Sequence, residues 1–219
     1  FINFQRRYGK PFTEAKNLID QGKIGDIISI DIVQPGNCAV NFGPHLIDMA
    51  INFLGERKPE KVFSACDMSE IGNYQGVPVE KYITFSVHYN GGVRLSFEAG
   101  NHNLKHPVIR VNGSEGFIDL YIDVPAGSKS ILRAKIKGTE AIYNPEIDEN
   151  FHHGTIDTNK YIDRLLFDIM DAFEKNKKSG VDGEEALKSV EILAGAYESA
   201  RLQKQITFPI TQKSFPLDI

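Results

Sequence analysis

Apolar residues near the start of the chain recur with the spacing of two helices and one strand. Helices are predicted over residues 10–22 and 43–55, because each segment has a proline near its first turn, a periodic apolar side and a glycine at its end. The β-branched residues over 26–33 predict a strand that stops at a Pro-Gly pair. Residues 34–42 are therefore predicted to form an irregular loop.

The middle of the chain, residues 62–121, offers short β-branched and aromatic runs separated by turn residues. The clearest hairpin turns at Asn90-Gly91, because this pair readily adopts the positive φ angles that a tight turn needs. The strands predicted in and just after this meander cover 82–89, 93–97, 108–111, 117–121 and 130–136. They amount to an antiparallel sheet of at least five strands.

Two helices and a short strand over 206–208 are predicted at the C-terminal end. The buried side of the first helix is predicted to consist of Tyr161, Leu165, Ile169, Ala172 and Phe173. That of the second, which begins at Asp182, is predicted to consist of Leu187, Val190, Leu193 and Tyr197. Helices before and after a block of strands indicate the α+β class, with an open, mainly antiparallel β-sheet that carries its helices on one face. Residues 1–219 are predicted to form one domain, since no repeat or linker interrupts the pattern.

Composition narrows the range of partners. The 219 residues include 25 Lys and Arg against 29 Asp and Glu, a net charge of -4, so no positive field favours nucleic acid as a partner. No apolar stretch approaches the roughly 20 residues that cross a bilayer, so no membrane partner is expected. The two cysteines, Cys38 and Cys66, form no CxxC pair, which favours a reducing cytoplasm.

Histidines outside the predicted helices do not have the spacing of metal ligands. His102 and His106 are separated by four positions but precede a strand-favouring proline, and His152-His153 lie in a polar segment. We therefore expect no metal site and interpret these residues as loop histidines, although His152 or His153 could border a pocket.

Residues 41–48, Asn-Phe-Gly-Pro-His-Leu-Ile-Asp, form the candidate site. His45 is expected in the first turn of a helix, where the positive potential of the helix N-terminus favours a neutral ring that can accept a proton. Asn41 precedes His45 by one helical turn. The alternative is structural, with His45 bonded to a nearby carbonyl and Asp48 stabilising the helix start.

The chain resembles the C-terminal domain of the Gfo/Idh/MocA oxidoreductases, the relatives of glucose-fructose oxidoreductase and inositol dehydrogenase. The order and separation of several motifs carry the resemblance. These motifs are Arg6-Arg7-Tyr8, residues 20–27, residues 43–48, Leu54-Gly55, residues 111–116, residues 179–183 and Glu198-Ser199-Ala200.

The resemblance implies a fold like the C-terminal domain of dihydrodipicolinate reductase. It further implies a two-domain enzyme in which a preceding Rossmann domain binds NAD or NADP. Residues 1–219 would then supply the pocket for a sugar or polyol and an open sheet that packs on another subunit as a homo-oligomer. His45 falls on the family's catalytic histidine, and Arg7 and Asn41 become substrate-binding residues.

Two features depart from the family pattern or lie outside this chain. The family has an aspartate where this chain has Asn41, and an amide can bind a substrate but cannot take up a proton. No GxGxxG turn occurs in residues 1–219, so we expect no cofactor-binding residues here. Because the first residue is Phe1 and the opening resembles the interior of a longer protein, we expect a fragment that is inactive by itself.

Four interpretations follow. The leading one is an NAD(P)-dependent dehydrogenase of a sugar, polyol or related hydroxy compound. A relative that senses a sugar or cofactor without turnover is the second, and the amide of Asn41 favours it. An enzyme that cleaves glycosides with internally recycled NAD is the third. The fourth is an oligomerisation module, whose sheet buries Ile83, Phe85, Val87, Leu95 and Phe97 against its helices and packs its other face on a second subunit.

Overall fold

A computed structural model describes residues 1–36, 39–70, 72–100, 102–122, 124, 131–147 and 157–211. The helices in these residues are a short 3-10 helix at Gln5–Tyr8, α1 (Lys10–Asp20), α2 (Ala39–Leu54), α3 (Asp157–Glu174) and α4 (Gly183–Leu202). The strands are β1 (Ile27–Pro35), β2 (Pro59–Asp67), β3 (Gly72–Tyr74), β4 (Val77–Val79), β5 (Tyr82–Tyr89), β6 (Arg94–Gly100), β7 (Val108–Gly113), β8 (Phe117–Tyr121), β9 (Leu132–Lys135), β10 (Ile142–Tyr143) and β11 (Ile206–Thr207).

Nine of the described strands form one sheet in the order β10-β9-β8-β7-β1-β6-β5-β2-β11, and β3 pairs with β4 in a separate hairpin. Strands β1 and β6 run parallel, with Pro35 opposite Gly100, whereas the other neighbours in the large sheet are antiparallel. The mainly antiparallel α+β fold predicted from the sequence is confirmed. The carboxyl ends of β1 and β6 lie side by side, close to the start of α2.

Alternation along the strands determines which face of the sheet the helices cover. Ile30 and Ile32 of β1 and Leu95 and Phe97 of β6 are buried, while the intervening side chains are more accessible. Helix α2 packs over β1 and β6, and α4 over β2. At the closest approach a Cβ added to Gly43 would lie 3.3 Å from the ring of Phe97, so the absence of a side chain lets α2 lie close to the sheet.

The start of α2 differs from the sequence prediction. The predicted irregular loop over 34–42 is wrong, since β1 continues through Pro35 and α2 begins at Ala39, so that Pro44 lies inside the helix. The missing N–H of Pro44 removes one intrahelical hydrogen bond, to the carbonyl of Val40. That loss is small enough for the helix to continue through the proline.

The two C-terminal helices bury faces that differ in part from the predicted ones. Leu187 and Val190 of α4 are exposed, whereas the small residues Ala186 and Ser189 are buried, together with the predicted Leu193 and Tyr197. In α3 the predicted Tyr161, Leu165 and Ala172 are buried and Ile169 is half-buried, but Phe173 is 73% exposed. Phe173 of α3 stays exposed because that helix packs mainly on the short 3-10 helix rather than on the sheet.

Candidate functional site

Arg7 and Asp48 form a buried ion pair that joins the 3-10 helix to α2. Arg7 Nε and Nη2 donate to the two carboxylate oxygens of Asp48 at 2.8 and 2.6 Å, and Nη1 donates to the carbonyl of Gly180 at 2.7 Å. The side chain of Asp48 is 1% exposed and that of Arg7 is 10% exposed. All three guanidinium nitrogens of Arg7 are therefore engaged by groups of the chain itself.

Asp48 titrates in an environment that opposes its charged form. Burial raises its pKa from 3.8 to about 6, while the hydrogen bonds and the positive charge of Arg7 act in the opposite direction and Glu185 adds a smaller increase. The structural alternative from the sequence was that Asp48 stabilises the N-terminus of its helix. In the structure the carboxylate stabilises the fold through Arg7, which lies 41 positions away in the sequence.

The 3-10 helix that carries Arg7 is itself tied to α3. Tyr8 donates its hydroxyl to Asp168 at 2.8 Å, and Ser179 donates to the same carboxylate oxygen at 2.5 Å. Burial, with the hydrogen bond to Asp168, raises the pKa of Tyr8 well above its ordinary value. The hydroxyl therefore stays protonated and can act as the donor.

The first turn of α2 is capped from a distance by a buried carboxylate. Glu80, which is 1% exposed, accepts a hydrogen bond from the backbone N–H of Ala39 at 2.6 Å and another from the hydroxyl of Tyr197 at 2.8 Å. A negative charge at a helix N-terminus stabilises the helix dipole. Glu80 thus stabilises the start of α2 from 41 positions away in the sequence.

His45 lies in the second turn of α2, not in the first as the sequence predicted. The ring of Phe4 meets the imidazole edge to face at 5.3 Å between centroids, and Phe42 lies at 6.1 Å. The guanidinium carbon of Arg6 lies 4.3 Å from the centre of the Phe42 ring. His45 is half-buried as a residue, and its Nδ1 is buried.

Asn41 is exposed in the first turn of α2 and touches the β3–β4 hairpin. Its Oδ1 accepts a hydrogen bond of 2.8 Å from the hydroxyl of Tyr74. Because residues four apart lie on one face of a helix, Asn41 and His45 face the same side of α2. Asp48 continues this face one turn farther.

The structure therefore brings two of the three predicted site residues together and gives the third a different setting. Asn41 and His45 are neighbours on an accessible face of α2. Arg7 lies at the inner end of that face and also lines a groove of about 370 Å³, together with Lys16, Asn52, Gly180, Glu185 and Lys188. A substrate-binding role for Arg7 stays a prediction, and its observed contacts are with Asp48 and Gly180.

Sequence reasoning missed Tyr74, Glu80 and the aromatic pair around His45. The sequence does carry a turn signal beside Tyr74, because Gln75-Gly76 stands between two short strands. In the structure both residues adopt positive φ, the geometry of a tight hairpin turn. No local signal marks Glu80 as the partner of Ala39, since the two are separated by 41 positions. Phe4 lies outside the predicted helices and strands altogether.

Within the described ranges, no cluster of three or more His, Cys, Asp or Glu side chains is placed to hold a metal ion. His102 lies instead 3.2 Å from the carboxylate of Glu98, and His152 and His153 fall outside the described residues. None of the helices in the same ranges has both the length and the apolar character to cross a membrane.

Residues 33–208 match the sequence model of a family described as the oxidoreductase family, C-terminal alpha/beta domain. No curated protein matches the sequence. Among solved structures, a super-repressor mutant of Gal80p from Saccharomyces cerevisiae is 20% identical, with a TM-score of 0.70, over 94% of this chain and 64% of that one.

Two enzymes share the fold to a similar degree. An oxidoreductase from Agrobacterium radiobacter in complex with NAD+, L-tartaric acid and magnesium is 15% identical, with a TM-score of 0.71, over 94% of this chain and 64% of that one. The myo-inositol 2-dehydrogenase from Lactobacillus plantarum is 18% identical, with a TM-score of 0.64, over 94% and 63%. At these identities the likeness shows the fold alone. The chain spans less than two thirds of the length of these proteins.

Proposed function

Because the chain belongs to the Gfo/Idh/MocA oxidoreductases, as their C-terminal α/β domain, we propose that the intact protein is an NAD(P)-dependent oxidoreductase of a sugar, a polyol or a related hydroxy compound. The observation that carries the proposal is the position of His45. The residue is half-buried, its ring contacts two aromatic side chains, and it shares a helix face with Asn41. A proton acceptor in partly apolar surroundings beside a polar binding group suits alcohol oxidation.

Oxidation of an alcohol removes a proton from oxygen and a hydride from carbon. His45 is proposed to accept the proton, and Asn41 to hydrogen-bond a substrate oxygen. Phe4 and Phe42 limit the access of water to the imidazole and hold its plane. Arg7 supports this face of α2 indirectly, because its two hydrogen bonds to Asp48 hold that carboxylate in place.

NAD or NADP is proposed as the hydride acceptor, and the N-termini of α2 and α4 do not fit its pyrophosphate. Helix N-termini are the usual pyrophosphate sites in dinucleotide-binding folds. The N-terminus of α2 already carries the carboxylate of Glu80, and that of α4 carries Asp182, Glu184 and Glu185. A dianion at either place would meet negative charge. The proposal therefore assigns cofactor binding to a part of the protein outside these residues.

An uncovered apolar surface on α3 supports a larger protein. Leu166, Phe167, Met170 and Phe173 are each more than half exposed, and the ring of Phe1 packs on Phe173 at 5.4 Å. Large apolar side chains grouped on a surface mark a site of contact with further protein. This chain covers 64% of the length of each of these two solved relatives, and the remaining third or so leaves room for the proposed cofactor-binding domain.

We further propose that the intact protein is a homo-oligomer through the open face of the sheet. The helices cover one face, and the other carries polar pairs such as Arg110 with Asp119 and exposed apolar residues such as Phe63. A mixed polar and apolar sheet face is compatible with packing on a second copy. Sedimentation velocity of the full-length protein is expected to give an oligomer, and a monomer at high protein concentration would contradict the proposal.

A cytoplasmic location is also proposed, from the sparse cysteines. Cys66 is a free thiol, and burial raises its pKa to about 12, so it stays protonated at neutral pH. A half-buried thiol that stays protonated reacts slowly in disulfide exchange. This state is compatible with a reducing compartment.

The experiment is a turnover assay of the full-length protein with NAD+ or NADP+ and a panel of sugars and polyols, followed through the absorbance of the reduced nicotinamide. His45→Ala is expected to lower kcat by about 10²- to 10⁴-fold, the contribution of a general base. His106→Ala, in the loop before β7, is the matched control and should leave kcat unchanged. Absence of turnover in the wild type, or equal activity of the His45 variant, would contradict the proposal.

A sensor without turnover is the second candidate, favoured by the amide of Asn41 and by the similarity to the repressor Gal80p. Saturable binding of a sugar or cofactor to the full-length protein without any chemical change would support the sensor. Release of a sugar without net cofactor reduction would instead identify the glycoside-cleaving alternative.

A further inference from the structure

The β3–β4 hairpin is attached to the first turn of α2 at two points. At its base, Glu80 follows Val79 directly and accepts a hydrogen bond from the N–H of Ala39 at 2.6 Å. At its tip, the hydroxyl of Tyr74 lies 2.8 Å from Oδ1 of Asn41. Two attachments at opposite ends of a short hairpin fix its orientation on the helix.

The turn at the hairpin tip is also held by local contacts. Asn73 Oδ1 accepts a hydrogen bond of 2.9 Å from the N–H of Gly76, and Gln75 and Gly76 take the positive φ angles of a tight turn. Nε2 of Gln75 lies 3.5 Å from the Tyr74 hydroxyl oxygen, a long contact in which that oxygen accepts. The hydroxyl proton of Tyr74 is thereby directed towards Asn41.

This direction decides what Asn41 offers to a ligand. An asparagine side chain has one carbonyl oxygen, which accepts, and one NH₂ group, which donates. Tyr74 donates to the oxygen, and no described residue bonds the NH₂ group of Asn41, which can therefore donate to a ligand beside His45. A carboxylate at this position would present acceptors only.

We infer that Tyr74 is a positioning residue, which orients the amide of Asn41 so that it donates a hydrogen bond to an acceptor oxygen of the substrate. The inference rests on the proposed function for the identity of the ligand as a hydroxy compound. The substrate oxygen that Asn41 binds is an acceptor, such as a carbonyl, carboxylate or ring oxygen, or a hydroxyl oxygen that accepts through a lone pair. Asn41 binds that oxygen while His45 accepts the proton of the reacting hydroxyl.

The test uses the full-length protein with its asparagines labelled with ¹⁵N, so that the orientation of Asn41 is read without turnover. The side-chain amide signal of Asn41 is identified by its loss in Asn41→Asp. In Tyr74→Phe the ¹⁵N signal is expected to move upfield, because the carbonyl oxygen loses its donor and the amide nitrogen is less deshielded. Tyr143→Phe, which removes a hydroxyl that bonds Glu14 elsewhere, should leave the signal in place.

The kinetic arm uses the panel compound that the wild type oxidises best. Tyr74→Phe is expected to raise KM by about three- to tenfold, the range for one neutral hydrogen bond, with a smaller change in kcat. An unmoved amide signal in Tyr74→Phe overturns the orienting role, and a moved signal with unchanged KM overturns the substrate contact. A wild type without turnover refutes the proposed function, whereas the amide signal still decides the role of Tyr74.

Discussion

Replacing Arg7 by methionine would leave the carboxylate of Asp48 buried without its cation. Methionine keeps an unbranched apolar stem in the place of the arginine stem, so the principal change is the loss of the guanidinium. Asp48 would lose two hydrogen bonds, of 2.6 and 2.8 Å, and the carbonyl of Gly180 would lose a third of 2.7 Å. The carboxylate is 1% exposed, so water cannot replace these donors without a change in the structure.

Removing one partner of a buried ion pair costs about 3–5 kcal/mol at a pH where the remaining group is charged. Protonation of Asp48 offers relief, because burial already raises its pKa to about 6 beside Arg7 and loss of the cation raises the pKa further. Because the pKa of Asp48 in the folded protein lies above its ordinary 3.8, folding favours the protonated carboxyl group. The stabilisation from this group is complete at low pH and is lost as the pH rises through the folded-state pKa. In the wild type the loss is about 3 kcal/mol, since each pKa unit corresponds to about 1.4 kcal/mol.

The assay is urea unfolding followed by far-ultraviolet circular dichroism at pH 5 and pH 7. Arg7→Met is expected to lower the free energy of unfolding by about 1–3 kcal/mol at pH 7, because protonation of Asp48 relieves part of the cost of an unpaired charge. The loss is expected to be clearly smaller at pH 5, which lies below the pKa of about 6, so that Asp48 is mostly protonated in the wild type as well as in the variant. The double variant Arg7→Met with Asp48→Leu should recover most of the loss, because replacing both members of a buried pair by apolar residues is often neutral.

A loss below about 1 kcal/mol at pH 7, or equal losses at the two pH values, would refute the buried-pair reasoning. The result also bears on the predicted substrate-binding role of Arg7. A residue that served only the substrate would change KM in a fold of unchanged stability. A pH-dependent loss of stability identifies Arg7 instead as the group that holds Asp48 and with it the inner end of the site.

Two further substitutions test how the site is supported, each by the midpoint and slope of urea unfolding. Glu80→Ala is expected to lower the free energy of unfolding by about 2 kcal/mol or more, because the buried N–H of Ala39 loses its acceptor. Glu80→Gln keeps one acceptor oxygen and should lower it by less. Equal losses in the two variants would contradict the capping role. Gly113→Ala is expected to lower the free energy of unfolding by about 1–3 kcal/mol, because the added Cβ would lie 2.0 Å from the carbonyl oxygen of Ile24. The Cβ of the control Gly183→Ala meets no atom within 4 Å, so this variant should be neutral. A neutral Gly113 variant would contradict the expected steric clash at the end of β7.

Local pattern predicted the elements whose signals lie within a few residues. The hairpin between β5 and β6 turns at Asn90–Gly92 as predicted, but the positive φ angles lie at Gly91 and Gly92 rather than at the predicted Asn90-Gly91 pair. Helices α1 and α2 end just before Gly22 and Gly55, both with positive φ. In each case one residue type supplies the required backbone geometry by itself, so the sequence is sufficient.

Residues far away in the sequence decide where α2 begins. They also decide which faces of α3 and α4 are buried. Helix α2 begins four residues earlier than its proline and glycine suggest, because Glu80 accepts from Ala39. Periodicity assigns an apolar stripe to a helix, but the neighbour that covers the stripe decides which members are buried. Phe173 and Leu187 lie on stripes that the described residues do not cover.

The sequence by itself determined the α+β class and the order of its main helices and strands, because these depend on residue type and on spacing along one element. Only the tertiary structure decided that Arg7 is held by Asp48, that Tyr74 reaches Asn41 and that Phe4 flanks His45. Each of those contacts joins residues more than thirty positions apart. Their formation depends on how the elements pack, which no local pattern encodes.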